Sequence, residues 1–184
     1  MKPQGDNRPK RVIVRGTSGA GKTTFAKALA EKIGCRYVEM DAIHHMPNWT
    51  ERPREETRTI VDEIVKGDAW VIDGNYSHAL EGHVEKADAI VWLDYGFIFV
   101  FWRLFIRTVR RGVKKEELWA GNREDLWKAF FTRESILWWM ITTHRRRHRQ
   151  CDEMENLLTG SHTRLLRFTS ARQAAAWLDG LSLS

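Results

Sequence analysis

Hydrophobic positions along the chain follow two patterns that take turns. In the first, apolar and often β-branched residues follow one another in short runs. Arg11–Arg15 (RVIVR), Arg36–Met40, Ala69–Asp73 (AWVID), Asp88–Leu93 (DAIVWL) and Thr163–Phe168 (TRLLRF) are of this kind. Runs without polar alternation predict strands covered on both faces, as in a parallel sheet. In the second pattern apolar residues recur every three or four positions. Lys22–Ile33 places Phe25, Leu29 and Ile33 four apart, which predicts a helix with one buried face, ended by Gly34. Arg54–Lys66 turns Ile60, Ile64 and Val65 inward and its charges outward. Phe97–Arg111 and Ala171–Leu181 also read as helices, the latter with Ser170 as N-cap. Gly74–Lys86 predicts a turn and a short helix, and Asp41–Pro53, broken by Pro47 and Pro53, an irregular segment. Lys114–Arg123 reads as a hinge and Glu124–Leu158 as one or two helices rich in Trp and Arg. Strands alternating with helices predict an α/β fold. The helical insert before the last strand is out of proportion to the rest.

Length and composition narrow this further. The 184 residues suit one domain spanning 1–184, with the insert at about 97–158 as an appendage. Hydrophobic residues make up 42 %, enough for a packed core. Residues 1–10 are polar, which predicts a frayed end and no signal peptide. Cys35 and Cys151 form neither a CxxC pair nor a zinc spacing, so a reduced, cytoplasmic protein is expected. Ala89–Phe105 is largely apolar, but Asp94 and Arg103 interrupt it. A spanning helix needs about 20 apolar residues, so a strand, a turn at Tyr95-Gly96 and a helix are expected instead of a membrane segment. The net charge of +6 gathers in Arg103–Lys115 and Arg145–Arg149 and suits an anionic ligand.

The most specific signal is Gly16-Thr17-Ser18-Gly19-Ala20-Gly21-Lys22-Thr23, followed by Thr24. It matches G-x-x-x-x-G-K-[ST] in full, after a predicted strand and before a predicted helix. Glycines let backbone N–H groups approach phosphate oxygens, and the helix N-terminus adds positive potential there. Lys22 can reach the β- and γ-phosphates of ATP or GTP, and the Thr23 hydroxyl suits Mg²⁺.

Ligands of open parallel sheets sit beyond the carboxyl ends of the strands. Asp41 follows strand two, Asp73-Gly74-Asn75 ends strand three and Asp94 ends strand four. Asp73 is the expected Mg²⁺-side carboxylate, with a turn as its structural alternative. Asp41 is expected to face a phosphoryl acceptor, with a cap as its alternative. Asp94 is expected to cap the Phe97 helix. Arg103, Arg107, Arg110 and Arg111 share one helix face, and Arg107 and Arg110 are the expected catalytic cations of a lid. A solvated basic face and a nucleic-acid patch are the alternatives, the latter because Trp138 and Trp139 lie near arginines. His44-His45 lie in the acceptor segment without metal spacing. The His144/His148 pair has metal spacing, but arginines between them oppose a cation. Trp49 could stack on a base or pack in the core; Trp127 and Trp138 are expected to pack the insert on the sheet.

GTSGAGKTT after strand one, VEMDAIHHMPNW after strand two, WVIDGNYS at strand three and the Trp/Arg-rich insert together resemble P-loop kinases of the adenylate kinase-like group. Within that group the chain is similar to topology modulation proteins of the FlaR type, from about Arg11 to Leu181. The resemblance implies a P-loop NTPase three-layer α/β/α fold with parallel strand order 2-3-1-4-5, an acceptor segment after strand two and an arginine lid. Asp73-Gly74 matches the start of the DGFPR segment of nucleoside monophosphate kinases. Asn75-Tyr76-Ser77 departs from the rest, including the arginine that touches the acceptor phosphate. The expected function is transfer of the γ-phosphoryl group of ATP, with Mg²⁺, to a small molecule, a nucleotide or nucleoside leading. The alternative is an NTP-binding regulator of DNA topology or another nucleic-acid-associated NTPase.

Overall fold

The computed structural model describes residues 8–114, 117–122 and 136–181. Strands β1 (Arg11–Gly16), β2 (Arg36–Glu39), β3 (Trp70–Asp73), β4 (Ala89–Leu93) and β5 (Arg164–Phe168) form one parallel sheet in the order β2-β3-β1-β4-β5. Both faces of the central strands are buried, as their unbroken apolar runs require. The helices are α1 (Lys22–Ile33), α2 (Met40–His44), α3 (Arg54–Ile64), α4 (Ser77–Leu80), α5 (Phe97–Lys114), α6 (Ile136–Leu157) and α7 (Ala171–Gly180).

Alternate strand residues feed two cores. On one face Val12, Val14, Val71, Val91 and Leu93 pack with Phe25 and Leu29 of α1, Val100 and Leu104 of α5, and Leu178 of α7. On the other, Ile13, Ile72, Ile90 and Trp92 pack with Val61 and Ile64 of α3, Leu80 of α4, and Cys151 and Met154 of α6. The result is a three-layer α/β/α sandwich. Helix α6 joins both cores, with Met140 in the first and Cys151 in the second.

Two local expectations change. The segment after β2 is not wholly irregular: α2 begins at Met40, so Asp41 stands in its first turn, and a 3-10 turn follows at Pro47–Trp49. The inward residues expected on α3 hold: Ile64 and Val65 are buried and Ile60 packs against the same core, joined by Thr57 and Val61. Asp94 does not cap α5. It is gripped by Arg167, whose Nη2 and Nε lie 2.6 and 2.8 Å from Oδ2, and by His148 Nδ1 at 2.9 Å from Oδ1. An arginine and a histidine from elements far along the chain outbid a local cap. Ser170 does cap α7, accepting from the N–H of Gln173. Of the expected hinge, Lys114 ends α5 and residues 117–122 carry a 3-10 turn at Trp119–Gly121, while Lys115, Glu116, Arg123 and the start of the long insert helices, including Trp127, lie outside the described residues, as do the side chains of Trp138 and Trp139. No helix among the described residues is long and apolar enough to cross a membrane.

Candidate functional site

The glycine-rich segment runs from the end of β1 to the start of α1, at the carboxyl edge of the sheet. Gly16, Thr17 and Ala20 are buried, Ser18, Gly19, Gly21, Lys22 and Thr23 are half-buried, and Thr24 is exposed. Gly19 has φ +89°, and a Cβ there would stand 2.9 Å from both Leu104 Cβ and the Val100 carbonyl. Only glycine lets α5 press this closely on the loop. Asn75 holds the loop's start from the other side. Its Oδ1 accepts from the Gly16 N–H at 3.2 Å, and its Nδ2 donates to the Gly16 carbonyl at 2.7 Å.

Beside the loop, Thr23 Oγ1 donates to Asp73 Oδ2 at 2.6 Å, and the Tyr37 hydroxyl approaches the same oxygen at 3.5 Å. Asp73 Oδ1 is buried and has no hydrogen-bond partner among the described residues. Burial raises the Asp73 pKa; Lys22 and the Thr23 hydroxyl oppose the rise without cancelling it. Lys22 Nζ donates to the Thr17 carbonyl at 3.3 Å. Enclosure pushes the Lys22 pKa down, opposed by Asp73 and Asp41 and assisted by Arg107 and Arg147. Lysine and aspartate thus shift in the same sense, each toward its neutral form, because desolvation outweighs their mutual attraction.

Cations converge on the same place. Arg107 and Arg147, from α5 and α6, both bear on Lys22. Burial, with Arg146 and Arg15 nearby, pushes the Arg147 pKa down to about 10. Arg103 Nη2 stands 3.0 Å from where a Cβ on Gly21 would lie, so its guanidinium covers the loop. Arg110, on the same helix, is exposed. A cluster of enclosed cations is unfavourable by itself and is relieved by a polyanion.

The far side of the site is built differently. Asp41 Oδ1 accepts from the Tyr76 hydroxyl at 2.6 Å. Tyr76 packs on His44 at a ring distance of 4.8 Å, and His44 on His45 at 5.0 Å. His45 in turn meets Trp49 edge-on at 5.3 Å and stacks on Trp119 at 5.7 Å. Burial raises the Glu39 pKa, and so do Asp73 and Asp41, while Lys27 and a hydrogen bond from Trp119 hold it down. Asn122, buried, ties this wall together: Oδ1 accepts from the Trp49 N–H at 3.0 Å, and Nδ2 donates to the carbonyls of Met46 and Trp119 at 3.0 and 2.9 Å.

The expected residues Gly16–Thr23, Asp41, Asp73 and Arg107 therefore meet at one sheet edge. Asn75, Tyr76, Tyr37, Trp119 and Asn122 also belong to the site, without a role expected from the sequence. The DGNYS segment was the available signal for Asn75 and Tyr76. Trp119 and Asn122 carry no local signature. His148 serves Asp94, and among the described residues no group of three or more His, Cys, Asp or Glu could hold a metal ion. One carboxylate and one hydroxyl do suit Mg²⁺, which keeps much of its water and phosphate coordination. The orphaned Oδ1 of Asp73 next to Thr23 fits that requirement.

A family model described as "ATPase family associated with various cellular activities (AAA)" matches residues 12–91. The chain is 37 % identical over 122 residues to a Thermococcus kodakarensis protein named "Putative adenylate kinase", covering 62 % of this chain and 64 % of that one. It is 37 % identical over 76 residues to a Pyrococcus furiosus protein of the same name, covering 38 % and 42 %. The chain thus spans between about two fifths and two thirds of the length of these curated relatives. Among solved structures, a shikimate kinase from Bacteroides thetaiotaomicron superimposes with TM-score 0.55 at 16 % identity, covering 95 % of this chain and 97 % of that one. The likeness is one of fold: a three-layer α/β/α sandwich with a parallel sheet.

Proposed function

We propose that the protein is an ATP- and Mg²⁺-dependent phosphotransferase acting on a small molecule, with a nucleotide or nucleoside as the leading acceptor class. The observation that carries this is Asp73: a buried carboxylate with one oxygen left without a partner among the described residues, beside Thr23 and Lys22 at the mouth of the glycine-rich loop. A structural aspartate would use both oxygens. The relatives named as adenylate kinases and the kinase-like fold support the same reading.

In this reading the backbone N–H groups of Gly16–Thr23 cradle the phosphates and Lys22 meets the β- and γ-phosphoryl oxygens. Thr23 and Asp73 would hold Mg²⁺, which neutralises phosphate charge when bound. Arg107 and Arg147 meet the charge that develops on the transferring group, and Arg110 joins them from a lid formed by the insert. Asp41 orients the acceptor hydroxyl. The segment after β2 presents carboxylates and aromatic rings, not a basic groove, which favours a small-molecule site over the nucleic-acid regulator that the resemblance to topology modulation proteins suggests. The test is ADP release from ATP against a panel of nucleosides, nucleoside monophosphates and polyols. We expect Mg²⁺-dependent release with one class, abolished in Lys22→Ala with the circular dichroism spectrum kept. Undiminished release by folded Lys22→Ala would overturn the mechanism.

A further inference from the structure

Trp49 has an unusual combination of properties. It is 42 % exposed, and its backbone has φ +56°, next to Asn48 at φ +59°. Left-handed backbone at a bulky aromatic residue is strained, and such strain persists only where the surroundings impose it. Here Asn122 imposes it, reaching from beyond α5 to the Trp49 N–H and the Met46 carbonyl. The facing turn has the same character: Ala120, beside Trp119, has φ +55°, and Asn122 also holds the Trp119 carbonyl. Two strained turns fastened by one buried amide are a costly way to leave an indole half in solvent. Core packing does not call for it, because a packed Trp49 would be buried.

The rings lead from this exposed indole to the chemistry. Trp49 and Trp119 border His45, His45 borders His44, His44 packs on Tyr76, and Tyr76 donates to Asp41. Burial lowers the His45 pKa, so this ring is neutral at neutral pH and offers a plain stacking edge. The wall carries mostly acids, with Lys27 beside Glu39. Glu39 and Asp41 lie near each other and near Asp73, and Glu51 sits 3.6 Å from His44 Nε2. The nearest arginine of the segment, Arg52, is committed to the Ile43 carbonyl at 2.8 Å and to Glu56 at 3.4 Å.

Resting on the phosphotransferase reading, we propose that the corner of Trp49, His45 and Trp119 seats the ring of the acceptor, and that the acceptor is an uncharged nucleoside-like molecule, a flat heterocycle bearing hydroxyls, rather than one already phosphorylated. An exposed indole takes any flat heterocycle by stacking. The acids beyond it accept hydrogen bonds from hydroxyls and repel a phosphate dianion. Tyr76 occupies Asp41 Oδ1, which leaves Oδ2 to meet the acceptor hydroxyl. The hydroxyl oxygen bonds to the γ-phosphorus as the bond from that phosphorus to the β–γ bridging oxygen breaks. The hydroxyl proton passes to Asp41 and then to solvent, and ADP leaves.

The experiment uses the full chain with Mg²⁺. ADP release is measured with unphosphorylated nucleosides, their 5′-monophosphates and acyclic polyols, and nucleoside binding is measured by calorimetry on protein loaded with a non-hydrolysable ATP analogue. We expect nucleosides to be phosphorylated. Trp49→Ala should raise the nucleoside KM roughly 5- to 100-fold, the range of one base–aromatic stack, with ATP binding unchanged and Trp49→Phe recovering most of the loss. Asp41→Asn should instead lower kcat by about 10²- to 10⁴-fold. Release with monophosphates or acyclic polyols but not nucleosides leaves the phosphotransferase reading standing and overturns this one. So does a Trp49→Ala variant with unchanged KM. Nucleoside binding that depends on Trp49 without any ADP release keeps the ring seat and overturns the phosphotransferase reading. Neither binding nor release overturns both.

Discussion

Asp88 and Asp73 stand at opposite ends of the same sheet and have opposite surroundings. Asp88 precedes β4 at the amino edge. Its Oδ2 accepts from the N–H groups of Lys10 and Arg11, both at 2.9 Å, and its Oδ1 from Arg11 Nη2 at 2.6 Å and Nε at 3.1 Å. Burial alone would raise its pKa, but these bonds outweigh it and the net shift is downward. Asp73 ends β3 at the carboxyl edge, with one oxygen bonded to Thr23, the other without a partner among the described residues, and its pKa raised by burial. A carboxylate whose bonds are complete is a fastener between strands. One that is buried and left incomplete is held in wait for a ligand, and the protein is less stable for it.

The largest expected effect follows from removing the incomplete acid's charge. Asp73→Asn should lower turnover roughly 10²- to 10³-fold, as for loss of a key electrostatic group, and weaken the Mg²⁺ dependence. It should also stabilise the protein. Because the folded pKa of Asp73 lies above its ordinary 3.8, the folded state loses stability as pH rises from there through the folded value. The gain of Asp73→Asn is therefore complete above the folded pKa and disappears below about pH 4. Thermal melts of both forms across pH, with turnover alongside, check this. A destabilised Asp73→Asn at neutral pH would place Asp73 with Asp88 as a structural residue.

A smaller effect is expected at the cations. Arg107→Ala should lower kcat about 10- to 100-fold, since Arg147 and Arg103 remain to share the charge. Relief of the repulsion on Lys22 should let the Lys22 pKa rise, read by NMR on labelled lysine. An unchanged kcat would leave Arg107 a surface residue. The smallest effect belongs to the fastener. Asp88→Asn should cost about 1 kcal/mol near neutral pH, with no change in turnover. The Asp88 pKa is depressed in the fold, so its contribution is present above 3.8 and lost as pH falls through the folded value. The two proteins should then melt alike in acid. A turnover defect in Asp88→Asn would break the contrast.

The fold was legible because its signals are local. Apolar runs without alternation mark β1, β3 and β4, the four-residue spacing of Phe25, Leu29 and Ile33 marks α1, and the glycine-rich loop lies between the expected strand and helix. Boundaries moved by a residue or a few, and the segment after β2 closed into α2 because one turn of helix leaves little periodicity to detect. At the site, Lys22, Thr23, Asp41 and Asp73 were legible from a motif or from their place after a strand. Asp94 was misread as a cap because its partners, Arg167 and His148, are 73 and 54 residues away in the chain.

By itself the sequence determined which residues form strands, that the central strands are buried on both faces, and that a phosphate-type loop opens α1, since each depends on neighbours within one or two turns of chain. The tertiary structure alone decided the rest. It showed that Asn75 clamps Gly16, that Asp73 keeps an oxygen without a partner among the described residues, and that Asn122 holds the N–H of Trp49 in a left-handed turn beside Trp119. Each of these joins groups tens of residues apart. Whether a buried polar atom is satisfied depends on every element around it, and no local pattern in the chain records that sum.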